Sequence, residues 1–469
     1  MIKHHDVSVD KDNPFLNCKL GREKYANVLT DIVKNYKDGF VLAINSEWGT
    51  GKTTFVKMWQ QQLQNNNLQT LYFNAWESDF EENPLIALIA EFKNLVGNRS
   101  GEKFNSVIQK GAVLLKSVAP AIVKSFAESN PITKVVADIT ESLTKGATEI
   151  LEDELKEYKK KKQGISNFKK ALEEFVNAID GDKPIVIIID ELDRCRPNYA
   201  VLLLEQIKHL FSVPNIVFVL AIDKEQLGHA VRGVYGSEKL NAEEYLRRFI
   251  DLEYSIPRPD ANTYVTYLYD YFKFNEILLG EKRKKIQEFW DEYEALIDIS
   301  TILFEKGKLS LRQQERIFAH ARIALRHLRF NQYLFPTLFT YLIYLKQHHN
   351  KIYTSIQNRN YTTQDLLQNI SITIPSGVEA RSLPYIVHLE ALIAYTYNNY
   401  KFERNWLNHL IVEDKETGEK SVKIKSHFDD SDNQKEFASR VIRCYERDSR
   451  DFSIKFLLDK IDLLEQVVI

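Results

Sequence analysis

The sequence has very little cysteine. Cys18, Cys195 and Cys444 are the three it contains, none in a CxxC pair and none spaced with histidine as a metal site requires. A disulfide-built secreted scaffold and a zinc module are excluded on that ground, and a reducing cytoplasm is the compartment this usage fits. Long apolar runs are missing too. No stretch of about twenty uncharged apolar residues occurs, so no transmembrane segment is expected. Met1-Ile2-Lys3-His4-His5-Asp6 has no apolar core and reads as neither a signal nor a transit peptide, with His4 and His5 as a solvated end. Nor is there an excess of charge of one sign. The net charge is -2 and the pI about 6.6, so nothing global draws the chain to nucleic acid or to acidic membranes. Local basic patches stay open, with Lys282-Arg283-Lys284-Lys285 as one candidate.

What is present is the composition of a folded globular protein, 44% hydrophobic and 27% charged. At 469 residues the chain exceeds one hydrophobic core, and two or three domains are expected. The stretch Ser46-Glu47-Trp48-Gly49-Thr50-Gly51-Lys52-Thr53-Thr54 organises the N-terminal part. It follows the apolar run Phe40-Val41-Leu42-Ala43-Ile44 and precedes a helical pattern, which is the strand-to-helix context of a phosphate-binding loop. Gly49 and Gly51 let backbone N–H groups turn onto an anion at a helix N-terminus. Lys52 is placed to reach the β- and γ-phosphates, and Thr53 to offer its hydroxyl to Mg²⁺. The usual motif opens with one more glycine, where this chain has Ser46. An ordinary strand-to-helix turn ending in a solvated lysine is the competing reading of this loop taken alone.

A second element argues against that competitor. Pro184-Ile185-Val186-Ile187-Ile188-Ile189 is β-branched and does not alternate, so it is a strand buried on both faces of a parallel sheet. It ends on Asp190-Glu191-Leu192-Asp193-Arg194, and carboxylates are costly to bury unless they meet water, a cation or a partner. Beside a phosphate loop, Asp190 would hold Mg²⁺ through its water shell and Glu191 would polarise an attacking water. Capping of the next helix is the alternative reading of the cluster. A further apolar strand, Ile216 to Ile222, ends on Asp223, which either senses the γ-phosphate or caps the helix from Lys224 to Val231. Other expected elements are a helix from about Gly21 to Tyr36, a strand from Thr70 to Trp76 with Asn74 and Trp76 at its C-terminal end, a helix opened by Pro84, and a helix from Val201 to Phe211.

From about Gly101 to Gly164 the pattern is helical, an insertion whose apolar stretch is interrupted by Lys110, Lys116 and Lys124. Its readings are a helical hairpin packed on the core, an oligomer contact, or an interfacial amphipathic helix. The run Lys159 to Lys162 reads as the solvated end of a charged helix.

Trp48-Gly49-x-Gly51-Lys52-Thr53, Phe73-Asn74-Ala75-Trp76, Ile189-Asp190-Glu191-Leu192-Asp193-Arg194-Cys195, Leu204-Glu205-Gln206-Ile207-Lys208, and Tyr245-Leu246-Arg247-Arg248-Phe249-Ile250 ahead of Ile256-Pro257 occur in this order. In this combination the chain resembles the KAP family of P-loop NTPases, over roughly its first 330 residues. The resemblance implies the additional-strand, catalytic-glutamate branch of P-loop folds, related to AAA+ and STAND ATPases. It implies ATP and Mg²⁺ as cofactors, with an extra strand between the phosphate-loop strand and the acidic strand. Family members often carry transmembrane helices in the insertion, and the lysines of this one set it apart. The resemblance also implies that Arg247 or Arg248 reaches a neighbouring subunit's γ-phosphate in a homo-oligomer, and that Arg312, in Leu309-Ser310-Leu311-Arg312, contacts nucleotide from a helical lid. Solvation or pairing with Glu243 and Glu244 is the other reading of Arg247 and Arg248.

The expected fold is therefore α/β: a P-loop NTPase core over 1–258 with a parallel sheet flanked by helices and a helical insertion, an all-α lid over 259–350 and an α-helical C-terminal region over 351–469. Within it, Ile372 to Gly377 reads as a loop and Glu413 to Ser431 as a polar connection. No metal cluster, nuclease-like carboxylate pair or nucleophile–base set is visible after Pro257. The expected function is a cytoplasmic, bacterial Mg²⁺-dependent ATPase acting as a conformational or assembly switch, by analogy in an anti-phage defence system with a partner effector. The alternatives are an ATP-binding scaffold with little hydrolysis and a nucleic-acid-dependent ATPase.

Overall fold

Runs of β-branched residues with no polar alternation become strands covered on both faces. The computed structural model describes residues 8–36, 38–97, 100–127, 147–179, 183–210, 212–278, 292–325, 335–374, 382–402, 410–446 and 452–466. The basic run 282–285 and residues 375–377 of the loop expected over 372–377 lie outside the described residues. The chain falls into two compact units, His4–Arg258 and Pro259–Ile469.

The first unit is built on a five-stranded sheet. Its strands are β1 (Phe40–Asn45), β2 (Thr70–Asn74), β3 (Ile185–Asp190), β4 (Ile216–Ile222) and β5 (Leu252–Ser255), in the order β2-β3-β4-β1-β5. All neighbours are parallel. The extra strand implied between the phosphate-loop strand and the acidic strand is β4. Successive residues face opposite layers, which is why the pattern is apolar throughout. Val41, Ala43, Phe73, Ile187, Ile189, Phe218 and Leu220 pack into one core, and Phe40, Leu42, Ile44, Val186, Ile188, Val217 and Val219 into the other.

The second layer is closed by α1 (Glu23–Asn35) and α2 (Lys52–Asn65), where buried Trp59 donates its indole N–H to Thr30 Oγ1 at 3.0 Å. The first is closed by α3 (Pro84–Phe92), the bases of α4 (Gly101–Ala127) and α5 (Ala147–Ile179), α6 (Pro197–Ile207), α7 (Lys224–Tyr235) and α8 (Ala242–Leu246). Phe104, Val107, Phe168, Leu172 and Phe175 bind the insertion helices to this core, so the bases of α4 and α5 pack on the domain. No described helix is long and apolar enough to cross a membrane.

Several local expectations are corrected. β2 stops at Asn74, leaving Trp76 in the turn beyond it. Helix α6 starts at Pro197, whose fixed φ and missing N–H suit the first helical position. Helix α5 runs unbroken through Gly164, so Lys159 to Lys162 lie within it and not at its end. The edge strand β5 carried no apolar signal, because most of it is exposed.

The second unit is mostly helical: α9 (Ala261–Tyr271), α10 (Phe274–Leu278), α11 (Glu292–Lys306), α12 (Leu311–Leu325), α13 (Pro336–His348), α14 (Asn350–Gln357), α15 (Thr363–Ser371), α16 (Leu383–Phe402), α17 (Ser431–Glu446) and α18 (Lys455–Gln466). Helix α13 is apolar nearly all round because it is buried nearly all round. The polar connection expected from Glu413 is a correction. Ile411–Glu413 and Lys420–Val422 form an antiparallel hairpin, β6 and β7, the one departure from helix among the described regular elements of this unit. Buried Glu390 anchors the chain after it, accepting from Ser426 Oγ at 2.5 Å and His427 N at 3.0 Å. Asp462 ties α18 down through Lys346 Nζ at 2.7 Å and Gln357 Nε2 at 2.6 Å.

Candidate nucleotide site

Sheet register sets the site. Asn74 lies opposite Asp190, Asp190 opposite Ala221, and Asn45 opposite Ile222, so the residues that follow these strands share the C-terminal edge of the sheet. In open parallel sheets that edge is where ligands bind. The chain leaves β1 there through Ser46–Gly51. Gly49 and Gly51 have φ of 77° and 81°, a region a side chain enters only at a cost, so the two glycines are required by the backbone path.

The loop is laced by its own side chains. Ser46 Oγ and Thr50 Oγ1 are 2.6 Å apart, and Thr50 Oγ1 donates to the Glu47 carbonyl at 2.8 Å. The hydroxyl of Ser46 thus has a use at the position where the motif usually has glycine. From below, Arg22, 4% exposed, donates Nη2 to the Thr50 carbonyl at 2.8 Å and Nη1 to the Gly51 carbonyl at 3.2 Å. A loop that aims its N–H groups at an anion must turn carbonyls the other way, and Arg22 collects two of them. The Glu47 carboxylate pairs with Arg258 at 2.5 Å. The Trp48 N–H donates to Asp223 Oδ2 at 3.2 Å, and its indole N–H to Asp193 Oδ2.

Lys52 opens α2. Its ammonium donates to the Ser46 carbonyl at 2.7 Å and lies 4.0 Å from Asp193 Oδ2. Burial pulls the Lys52 pKa down, while the charges of Asp193, Asp223 and Asp190 work against that fall. Thr53, one residue on, donates its hydroxyl to Asp190. Thr54 is half-buried in the same turn.

Asp190 is fully buried and also accepts from Tyr72 OH at 2.8 Å and from the Glu191 N–H at 2.8 Å. Burial pushes its carboxyl up, and the bonds from Tyr72, Thr53 and Glu191 pull it back. Glu191 takes a left-handed backbone, φ 61°, and its carboxylate meets Arg194 Nη1 at 2.7 Å and the side chain of Asn74. The other end of Asn74 accepts from the Trp76 and Glu77 N–H groups at 3.1 and 3.3 Å. Burial raises the Glu191 pKa, with the Arg194 charge as the chief opposing influence.

The structure therefore gathers Ser46 to Thr54, Asp190, Glu191 and Asp223 at one edge. Asp223 takes the capping role considered for it, since Oδ1 accepts from the Gln226 N–H at 3.3 Å at the start of α7, while Oδ2 accepts from the Trp48 N–H of the loop. Arg247 and Arg248 sit in the turn after α8, both exposed, with Arg247 engaged by Glu243 at 3.0 Å and Glu244 at 3.3 Å. Arg312 lies in the first turn of α12, in the other unit. Among the described residues no histidine, cysteine, aspartate and glutamate group forms a ready metal cluster.

Sequence reading missed Arg22, Tyr72 and the role of Asp193. Arg22 carries no local signal, because its partners lie 28 and 29 residues away. Tyr72 was readable only as a strand aromatic. Asp193 was in view, within the acidic segment, but its link to Trp48 spans 145 residues.

The chain resembles known proteins to different extents. The sequence model of the KAP family P-loop domain matches residues 22–374. The phage T7 exclusion protein of Escherichia coli K12 is 26% identical over 80 residues, which are 17% of this chain and 10% of that protein's length. Among solved structures, the ORC2 protein of Aeropyrum pernix in ADPNP and ADP complexes matches with a TM-score of 0.35 and 14% identity, over 90% of this chain and 94% of that one. Drosophila ORC bound to DNA matches with a TM-score of 0.35 and 14% identity, over 96% of this chain and 86% of that one.

Proposed function

The chain belongs to the KAP family of P-loop NTPases, and on that premise we propose that it is a Mg²⁺-dependent ATPase whose turnover drives a conformational or assembly switch. The observation that carries this reading is the convergence at one sheet edge of the loop after β1, with Lys52 and Thr53 opening the helix that follows it, and the fully buried Asp190 that ends β3. Ser46 to Thr54 bind the nucleotide phosphates in this reading, and Asp223 senses them from the end of β4. At rest Lys52 leans on a neutral carbonyl. A phosphate is a stronger partner for its charge, so ATP re-aims it.

Thr53 and Asp190 would hold Mg²⁺. The fit is supported by the cost of leaving Asp190 charged and buried, and by Asp193 Oδ1, a buried oxygen with no hydrogen-bond partner among the described residues. An ion held by these two residues would supply charge neutralisation to the nucleotide phosphates. Glu191 orients and polarises the attacking water. Arg247 or Arg248 acts from a neighbouring subunit in a homo-oligomer, and Arg312 contacts nucleotide in cis.

The setting we propose is the bacterial cytoplasm, in anti-phage defence with a partner effector. Its support is the short likeness to the phage T7 exclusion protein. The test is ATP turnover and molecular mass across a concentration series for wild type, Lys52→Ala, Glu191→Gln and the double variant Arg247→Ala/Arg248→Ala. Turnover should rise with assembly, vanish in the first two variants, and fall by about 10³ in the third. Wild type turning over no faster than Glu191→Gln at every concentration refutes the hydrolytic reading.

A further inference from the structure

We propose that Arg194 is the positioning residue of Glu191, holding its carboxylate from one side while the indole face of Trp76 backs the guanidinium from the other. The inference deepens the reading above and rests on Glu191 being the base. Glu191 leaves β3 in a left-handed backbone, φ 61°, and a single tight turn, Leu192–Arg194, brings the arginine back over it. The Arg194 N–H donates to the Glu191 carbonyl at 3.1 Å, so the pair is preset by the backbone and not by chance meeting of two long side chains. Nη1 and Oε1 are 2.7 Å apart, with the two side chains 25% and 12% exposed, which screens the pair far less than a surface ion pair.

Arg194 has a second hold. Its guanidinium lies 5.9 Å from the centre of the Trp76 ring, within the range of a cation–π contact, and Trp76 is 51% exposed. Trp76 is itself fixed by Asn74, whose other end bonds Glu191. The turn after β2 thus grips the glutamate by two routes, one neutral and one charged.

The hold matters because Glu191 stands in an acidic turn, with Asp190 before it and Asp193 after it, and Arg194 is the cation whose Nη1 meets its carboxylate there. A base acts on a water only from a fixed position, which is what this pairing supplies.

Turnover of the full chain at one neutral pH tests this for wild type, Arg194→Ala, Arg194→Lys, Trp76→Ala and Glu191→Gln. Arg194→Ala should lower kcat about tenfold with KM within about twofold, because the lost hold acts on the chemical step and not on nucleotide binding. Trp76→Ala should lower kcat in the same direction by less. Arg194→Lys keeps a charge beside Glu191 and should restore most of kcat, which also covers the case in which the alanine variant does not fold. Wild-type kcat in both Arg194 variants, or a raised KM with kcat unchanged, would overturn the proposal directly. Wild-type turnover in Glu191→Gln would overturn it through its premise.

Discussion

Replacing Arg22 with methionine tests whether the phosphate loop is held from beneath. The guanidinium spans the Thr50 and Gly51 carbonyls at 2.8 and 3.2 Å and is 4% exposed, so water cannot take its place without opening the fold. A hydrogen bond from a charged donor contributes about 1.5–3 kcal/mol net, and two of them set an upper range of about 3–6 kcal/mol. Methionine preserves the apolar stem, and removing a buried charge returns part of its desolvation cost. The expected loss is therefore about 2–4 kcal/mol, most of it from two carbonyls left without donors. For a unit of this size each kcal/mol moves the midpoint by about 2–4 °C, so calorimetry of the ligand-free protein should show a drop of about 4–16 °C.

The same variant should weaken a fluorescent ATP analogue about tenfold or more, because the loop must then be ordered at the expense of binding. Arg22→Lys, which cannot span both carbonyls as a fork, should fall between. A midpoint within about 1 °C of wild type with unchanged analogue affinity would refute the reasoning, since the two bonds would then contribute nothing either to the fold or to the loop.

The pKa of Asp190 is raised in the folded state, so its charge destabilises the protein above that pKa, and the cost is relieved as pH falls through it toward the unfolded value. Asp190→Asn should accordingly raise the ligand-free melting temperature at neutral pH by the equivalent of about 1–3 kcal/mol. The gain should shrink on acidification, and the stabilisation expected of wild type on adding Mg²⁺ and ATP should be lost in the variant; a variant that melts lower at neutral pH would contradict this. Gly111 in α4 faces the core so closely that an added Cβ would lie 2.8 Å from Ile89 Cδ1 and 3.2 Å from Phe168. Gly111→Val should cost about 1–3 kcal/mol in urea unfolding, beyond the small effect of Gly101→Ala, where a Cβ meets nothing within 4 Å.

What could be read in advance follows the reach of each interaction along the chain. β3 and β4 were legible because a strand covered on both faces must be apolar at every position, and no neighbour need be known to see it. The glycines of the loop were legible for a similar reason, since positive φ is a property of the residue itself. β5 was not. It is an exposed edge strand, held by its pairing with β1, and nothing in Leu252–Ser255 states which strand it will meet. The hairpin at 411–422 failed likewise, its strands being three residues each with none buried.

The site divides along the same line. Lys52, Thr53, Asp190 and Glu191 announce themselves by position within one loop or one strand end. What holds them in a working arrangement does not, because Arg22, Tyr72 and Asp193 act across 28, 118 and 145 residues. Ser46 shows the two kinds of information meeting. Seen as a departure from a motif it signals a weakened loop, whereas its 2.6 Å contact with Thr50 makes it part of the lacing that keeps the loop closed. A missing glycine at this position therefore costs the backbone nothing, since neither positive-φ position of the loop falls there: those are Gly49 and Gly51, and both are present.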